Sequence, residues 1–181
     1  NVGNIPIKEE HHCIPLSCYG VVKLAAENYL RIYKKQLPYV VLRMFNVYGP
    51  GQDMNNMRQG MVSIYLSQLL LKNRIEVKGS LSRFRDFIHI KDVTDIWWDV
   101  STRKDILNET FNVGTGKRTN VIDLLKIMTS LFPESQFYES DPTPGDQNGI
   151  FSDNSKLLRI IGDKEFISLK DGINSFVKFL K

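Results

Sequence analysis

The sequence predicts an α/β fold, in which the tail of a doubly wound parallel sheet is joined to a smaller α/β lobe. A helical pattern over residues 19–36 precedes a nearly continuous apolar run at 39–45, which is typical of a parallel strand covered on both faces. The motif Asn46–Gly51 follows at the carboxyl end of that strand, where open α/β sheets bind ligands. Helical and strand patterns then alternate to the end of the chain without an internal repeat.

Each further element is predicted from its periodicity. Apolar residues at helical spacing predict helices over 58–72, from Asp92 onwards, over 120–131, 154–161 and 169–180. In the helix from Asp92, the spacing places Trp97 in the core, and Asn120 and Asp123 stand where they would cap the next helix. Short apolar runs predict strands at 75–79, 87–90 and 111–113, and Pro142–Asp146 is a turn-rich break.

The amino-acid composition limits the classes of protein to which the chain can belong. The 181 residues are 42% hydrophobic, enough for one sizeable core or for one core plus part of another. The net charge of +4 comes from 24 basic and 20 acidic residues that are scattered, which favours a solvated surface over nucleic-acid binding. No apolar stretch reaches the ~18 residues of a membrane span, and no signal peptide is recognisable, so we expect no membrane partner and a cytoplasmic protein.

Two cysteines lie close to two histidines near the start of the chain. The segment from His11 to Cys18 could suggest a zinc site, but its spacings differ from those of structural zinc sites. We therefore expect no metal, and free thiols at Cys13 and Cys18.

Tyr19 and Lys23 are the residues with the clearest chemical meaning. Their i, i+4 spacing puts both side chains on one helix face, where an ammonium would favour the phenolate and make the tyrosine a usable base. Taken alone, Y-x-x-x-K arises often by chance and usually marks a solvated lysine beside a half-buried ring.

The motifs that follow Tyr19 and Lys23 in the sequence give a far more specific pattern than the pair alone. The order is S-x-Y-G-x-x-K at 17–23, R-x-x-N-V-Y-G-P-G at 43–51 and R-D-F-I-H-x-x-D at 85–92, with later landmarks at 111–116 and 145–147. Over nearly its whole length the chain resembles the extended short-chain dehydrogenase/reductase family, specifically the NAD-dependent epimerases and dehydratases that act on nucleotide-sugars. The resemblance implies a Rossmann-like sheet with a substrate-binding lobe.

The resemblance also implies roles for the first helix and strand. Tyr19 would be the general acid/base that takes a proton from a sugar hydroxyl while a hydride moves to the nicotinamide. Lys23 would hold the nicotinamide ribose and stabilise the phenolate, and Phe45 would contact the cofactor. The spacing of Tyr19 and Lys23 agrees with this assignment independently.

Six residues correspond to substrate-binding positions of the family. Asn46 and Arg85 would contact the diphosphate, Asp146 the nucleoside ribose, and Ile150, Gln59 and Gly60 the sugar. Competing interpretations are an ordinary turn asparagine and an Arg85–Asp86 surface pair. Thr143 stands where many epimerases have an arginine, which weakens the assignment of uridine.

The glycine-rich turn that cradles a dinucleotide has no counterpart in this sequence. Gly114–Lys117 fits neither that fingerprint nor a phosphate loop, so we interpret it as a strand-to-helix turn. The chain therefore resembles a carboxy-terminal portion, with residues 1–50 from the dinucleotide-binding domain and 51–181 mostly from the substrate lobe. We expect weak or no NAD binding by this chain alone.

These observations predict a fragment of an NAD-dependent 4-epimerase of a UDP-sugar, which acts through a transient 4-keto intermediate. The alternatives are a non-catalytic fragment that binds nucleotide-sugars, and a dehydratase as the parent. Relatives of the family commonly pair through the Y-x-x-x-K helix, so a homodimer is expected for the parent. For this chain alone we expect exposed apolar edges and altered oligomers.

Overall fold

Six helices and eight short strands form the part of the chain that this computed structural model describes, residues 5–58, 60–142 and 147–181. The helices are α1 (Cys18–Ile32), α2 (Met61–Lys72), α3 (Ile90–Ser101), α4 (Val121–Leu131), α5 (Ser155–Ile161) and α6 (Leu169–Leu180). The strands are β1 (Val40–Met44), β2 (Asn46–Tyr48), β3 (Arg74–Lys78), β4 (Phe84–Arg85), β5 (Phe87–His89), β6 (Glu109–Val113), β7 (Thr119–Asn120) and β8 (Gln136–Ser140).

The strand pairs are mainly parallel. Strand β1 pairs with β6, β2 with β5 and β3 with β8, all parallel, whereas β4 and β7 form an antiparallel pair. Parallel partners that are distant in sequence require crossover connections, which the helices provide. The α/β class with parallel strands is thus confirmed, while β2, β4, β7 and β8 were not predicted.

The buried apolar side chains form two clusters. One lies among α2, α4, α6 and β3, around residues such as Leu66, Ile75 and Phe176. The other lies among α3, α5, β5 and β6, around residues such as Ile96 and Phe111. Helix α6 has the predicted bounds because its apolar stripe is regular and Ser168 caps it by accepting a hydrogen bond from the Asp171 amide at 3.1 Å.

Strand β1 is less buried than the sequence predicted. Residues 40–43 are half-buried and Met44 is 50% exposed, so the expectation of a strand covered on both faces is wrong. In the described residues β1 has β6 as its paired strand and no second neighbour in the sheet. Apolar composition alone cannot say how many neighbours a strand has.

Helix α1 lies against β1 through a charged contact. No α1 residue is buried, but the Arg43 guanidinium donates two hydrogen bonds to the Glu27 carboxylate, at 2.9 and 2.7 Å. Arg43 also donates to the Glu9 carbonyl at 3.0 Å, and its hydrogen bonding to the Glu27 carboxylate raises the pKa of Arg43. This network fixes the helix that carries Tyr19 and Lys23.

Two predictions about α3 and α4 are corrected. Ile96 and Val100 are buried, but Trp97 is 55% and Trp98 74% exposed, because consecutive helix residues are about 100° apart and the buried stripe passes through Ile96 instead. Asn120 precedes α4 at the N-cap, yet its amide donates to Asp123 at 3.4 Å and does not cap the helix.

Cys13 and Cys18 are exposed and free. Among the described helices, none has the length and apolar character needed to cross a bilayer.

Candidate active site

Tyr19 and Lys23 lie together near the start of α1. Ser17 caps the helix by accepting a hydrogen bond from the Gly20 amide at 3.2 Å, which places Tyr19 in the first turn. The Lys23 ammonium lies 5.4 Å from the centre of the Tyr19 ring, within the range of a cation–π contact. Tyr19 is 66% exposed, so the phenol is open to a ligand instead of being sealed in the core.

Asn46 lines a cleft of about 980 Å³ beside β3 and α2. Its backbone N–H and its side-chain amide both donate to the Asp86 carbonyl, at 3.0 and 3.2 Å. The rest of the described lining comes from the α2 region, from β3 and β8, and from the residue before β4: Met57, Arg58, Gly60, Met61, Ile64, Tyr65, Gln68, Leu71, Lys72, Arg74, Glu76, Lys78, Arg83 and Tyr138. Of the predicted substrate-binding residues, the structure brings Asn46 and Gly60 together here.

Gly60 is at a position where a side chain would not fit. Its φ of +89° is in the region that favours glycine, and a Cβ would lie 2.2 Å from the Gln52 amide nitrogen and 2.5 Å from the Ser63 hydroxyl. The close approach of Gln52 and Ser63 therefore leaves no room for a side chain at the residue before α2.

The cleft is strongly basic. Five of its described lining residues are cationic and one, Glu76, is acidic; the cations are Arg58, Lys72, Arg74, Lys78 and Arg83. Strand alternation explains part of this, because Ile75 and Val77 of β3 are buried, and the residues that alternate with them point to the other face: Arg74, Glu76 and Lys78. A wall of this charge suits an anionic ligand such as a diphosphate.

Arg85 is buried, so a surface pair with Asp86 is excluded. Its guanidinium donates to the Phe84 carbonyl at 2.8 Å and to the Gln147 carbonyl at 3.0 Å. Burial lowers the pKa of Arg85, and the nearby charge of Arg83 lowers it further. The side chain is not among the described residues that line the cleft.

Arg83 is the site residue that the sequence analysis missed. It lines the cleft, is 7% exposed, and donates to the carbonyls of Ser80, at 3.0 Å, and of Lys78. It also hydrogen-bonds Tyr65, whose pKa is raised by burial. No local pattern indicates that Arg83 lies in the cleft, because its position depends on how distant segments pack together.

The remaining predicted residues are more dispersed. Gln59 and Asp146 lie outside the described residues. Ile150 is half-buried beside β4, where its N–H donates to the Phe84 carbonyl at 3.4 Å. Phe45 is half-buried between β1 and β2, and its N–H donates to the Val113 carbonyl at 3.0 Å.

The turn Gly114–Gly116 binds a carboxylate of the protein itself. The amides of Thr115 and Gly116 donate to Asp86 at 2.9 and 3.1 Å, and a Cβ at Gly114 would lie 2.5 Å from an Asp86 oxygen. The turn follows β6 and leads to the two-residue strand β7, which runs directly into α4, so a short strand separates it from the helix that the sequence predicted.

Comparison with known proteins decides the family. The sequence pattern of the NAD dependent epimerase/dehydratase family matches residues 1–114, which include the Tyr19–Lys23 helix and the arginine motif of β4 and β5. The chain belongs to this family. Its resemblance to extended short-chain dehydrogenase/reductases is thereby confirmed.

Individual relatives agree with this membership. The chain is 33% identical to a putative UDP-glucose 4-epimerase of Methanocaldococcus jannaschii, over 98% of this chain and 57% of that protein. It superimposes with a TM-score of 0.91 on a UDP-glucose 4-epimerase of Thermotoga maritima, determined with UDP-glucose, at 30% identity over 99% of this chain and 58% of that one.

A second solved structure includes the cofactor. It is a UDP-glucuronic acid 4-epimerase of Bacillus cereus in complex with UDP-glucuronic acid and NAD, with a TM-score of 0.87 and 26% identity over 97% of this chain and 56% of that one. The chain thus has the Rossmann-like α/β fold of these neighbours and spans a little over half the length of the relatives it matches.

Proposed function

We propose that this chain provides the catalytic helix and the nucleotide-sugar cleft of an NAD-dependent 4-epimerase that acts on a UDP-linked sugar. The observation that carries the proposal is the Tyr19–Lys23 pair, one turn apart on an open helix face, with the ammonium 5.4 Å from the ring centre. The basic cleft lined by Asn46 adds a site for the diphosphate. The relatives named above support the substrate class.

The chemistry of the pair follows from its charges. In the proposed reaction Tyr19, as the phenolate, takes the proton of the C4 hydroxyl, and Lys23 stabilises that phenolate. NAD, when bound, would supply the hydride acceptor for C4, and its reduced form the hydride donor to the opposite face of the 4-keto sugar. Tyr19 then gives the proton back to the oxygen, which leaves the hydroxyl inverted.

The described residues fit one end of NAD. A phenol and an ammonium on an open face suit the nicotinamide ribose, so Tyr19 and Lys23, with Phe45 after β1, would hold that end. The amides of the Gly114–Gly116 turn are already bonded to Asp86, so this turn does not fit the pyrophosphate.

The cleft is proposed to hold the rest of the substrate. Asn46 and Arg83, which line the cleft, would contact the diphosphate, because amide and guanidinium groups donate to phosphate oxygens. A diphosphate contact at Arg85, which does not line the cleft, remains a proposal by resemblance. The other predicted contacts remain proposals by resemblance, for the nucleoside at Asp146 and for the sugar at Gln59, Gly60 and Ile150.

A second candidate function is binding of nucleotide-sugars without turnover by this chain alone. It is favoured by the occupied glycine turn, which leaves the described residues without a pyrophosphate cradle. The apolar face of α1 is consistent with an incomplete assembly, because four large side chains besides Tyr19 are more than half exposed there: Val21, Val22, Tyr29 and Ile32. We infer that this face is covered in a homodimer of the parent protein, and that it drives altered oligomers of the chain alone.

Calorimetry and a turnover assay separate the two candidates. UDP-glucose and NAD are titrated separately into the chain, and conversion of UDP-glucose to UDP-galactose is followed with both present. Turnover that is lost in Tyr19→Phe and retained in Tyr29→Phe, an exposed tyrosine of the same helix, supports the epimerase. Binding of UDP-glucose without turnover supports the second candidate, and failure to bind UDP-glucose contradicts both.

A further inference from the structure

Asp86 is the single residue between two strands that belong to different sheets. Strand β4 ends at Arg85 and pairs with β7, while β5 begins at Phe87 and pairs with β2. The residue that joins them sets the angle between the two strands. Asp86 is fully buried, with 0% of its surface exposed.

The Asp86 carboxylate accepts five hydrogen bonds from two other segments. One oxygen accepts the Thr115 N–H at 2.9 Å and its hydroxyl at 2.6 Å. The other accepts the N–H of Gly116 at 3.1 Å, the N–H of Ser152 at 3.1 Å and the Ser152 hydroxyl at 2.6 Å. These donors form an internal anion hole, which keeps a buried carboxylate satisfied.

The same residue holds a candidate substrate contact through its backbone. Its carbonyl accepts the hydrogen bonds from the Asn46 N–H and side-chain amide. Its peptide neighbour is Arg85, which donates to the Gln147 carbonyl at 3.0 Å. A shift of Asp86 therefore moves Asn46 and Arg85 together, although Asp86 itself is not among the described residues of the cleft.

We propose that Asp86 is a positioning residue, whose carboxylate anchors the β4–β5 joint in this anion hole and so fixes Asn46 and Arg85 for the diphosphate of the ligand. The inference rests on the proposed function, since it assumes that these two side chains bind a nucleoside diphosphate-sugar. It adds a residue that acts through the other two and does not touch the substrate.

Removing and restoring the anion tests the proposal. The probe is UDP-glucose, titrated into the wild-type chain and into Asp86→Ala by calorimetry. Loss of five charge-assisted bonds is expected to raise the dissociation constant about tenfold or more. Formate supplies a carboxylate to the same donors, so added formate is expected to recover part of the affinity in Asp86→Ala and to leave the wild type unchanged.

A milder pair of variants keeps the test valid if Asp86→Ala does not fold. Thr115→Val removes one hydroxyl donor to Asp86, whereas Thr129→Val removes a hydroxyl that donates to the Leu125 carbonyl at 3.0 Å inside α4. We expect Thr115→Val to weaken UDP-glucose binding about threefold and Thr129→Val to leave it unchanged, at comparable losses of melting temperature.

The outcomes distinguish a failure of the proposed function from a failure of the positioning role of Asp86. If the wild-type chain does not bind UDP-glucose, the proposed function fails and the positioning role falls with it. If the wild type binds and Asp86→Ala binds equally well, or Thr115→Val behaves as Thr129→Val does, the positioning role alone is overturned. Recovery of affinity by formate in Asp86→Ala supports it, since a purely structural defect elsewhere would not respond to a small carboxylate.

Discussion

The contact between Glu27 and Arg43 should decide whether α1 stays docked. We take Glu27→Gln as the perturbation, because it keeps the shape of the side chain and removes its charge. Both side chains are largely buried, 15% and 20% exposed, and the two hydrogen bonds between them measure 2.9 and 2.7 Å. With no buried residue in α1, little apolar packing opposes its release.

The expected cost follows from this geometry. Glutamine offers one acceptor oxygen and turns an N–H₂ group toward the guanidinium, so one charge-assisted hydrogen bond and the attraction between the charges are lost. We expect a cost of about 2 kcal/mol, which corresponds to about a thirtyfold increase in the opening of α1. Tyr19 and Lys23 lie on α1, so they would leave their fixed position as often as the helix opens.

Amide hydrogen exchange measures this opening helix by helix. Protection is expected to fall in α1 and to remain in α4 and α6, which bury apolar side chains. The matched control is Lys91→Met, which removes an exposed i, i+4 ion pair with Asp95 at 2.9 Å and is expected to cost less than about 0.5 kcal/mol. Unchanged protection of α1 in Glu27→Gln would show that the Glu27–Arg43 contact does not hold the helix in place.

Three further predictions concern other sites. Tyr48→Phe is expected to stabilise the chain by about 1 kcal/mol, since the buried hydroxyl has no hydrogen-bond partner among the described residues; thermal unfolding measures this. Burial lowers the pKa of His89, so the unfolded state binds the proton more readily and stability should fall as the pH drops below about 6.5; His89→Asn should flatten that dependence in denaturant titrations. Replacing Val22 and Ile32, 65% and 71% exposed, by lysine should reduce concentration-dependent association in gel filtration.

Matched controls make these results interpretable. Tyr29→Phe alters an exposed hydroxyl and should leave the melting temperature unchanged, and a gain equal to that of Tyr48→Phe would contradict the first prediction. His12→Asn, at an exposed histidine, should keep the acid sensitivity, and its loss there would contradict the second. Phe179→Lys alters an apolar residue that is 62% exposed on α6, and an equal effect on association would contradict the third.

Sequence patterns predicted the helices better than the strands. The bounds of α6 and the position of α1 follow from local periodicity and from serine caps, which depend on neighbours within one turn. The two-residue strands β4 and β7 have too few residues for a pattern, and they exist because their backbones meet each other. Strand β8 pairs with β3 although its side chains alternate weakly between exposed and half-buried.

The candidate site divides in the same way. The sequence determined the Tyr19–Lys23 pair, because residues one helical turn apart share a face wherever the helix forms. The tertiary structure decided that Arg83 lines the cleft, that Arg85 is buried and that Asp86 fills the Gly114–Gly116 turn. The hydrogen bonds of Asp86, for example, join it to segments about 30 and 66 residues further along the chain. Their geometry depends on how strands and turns pack in space, which no local pattern of residues encodes.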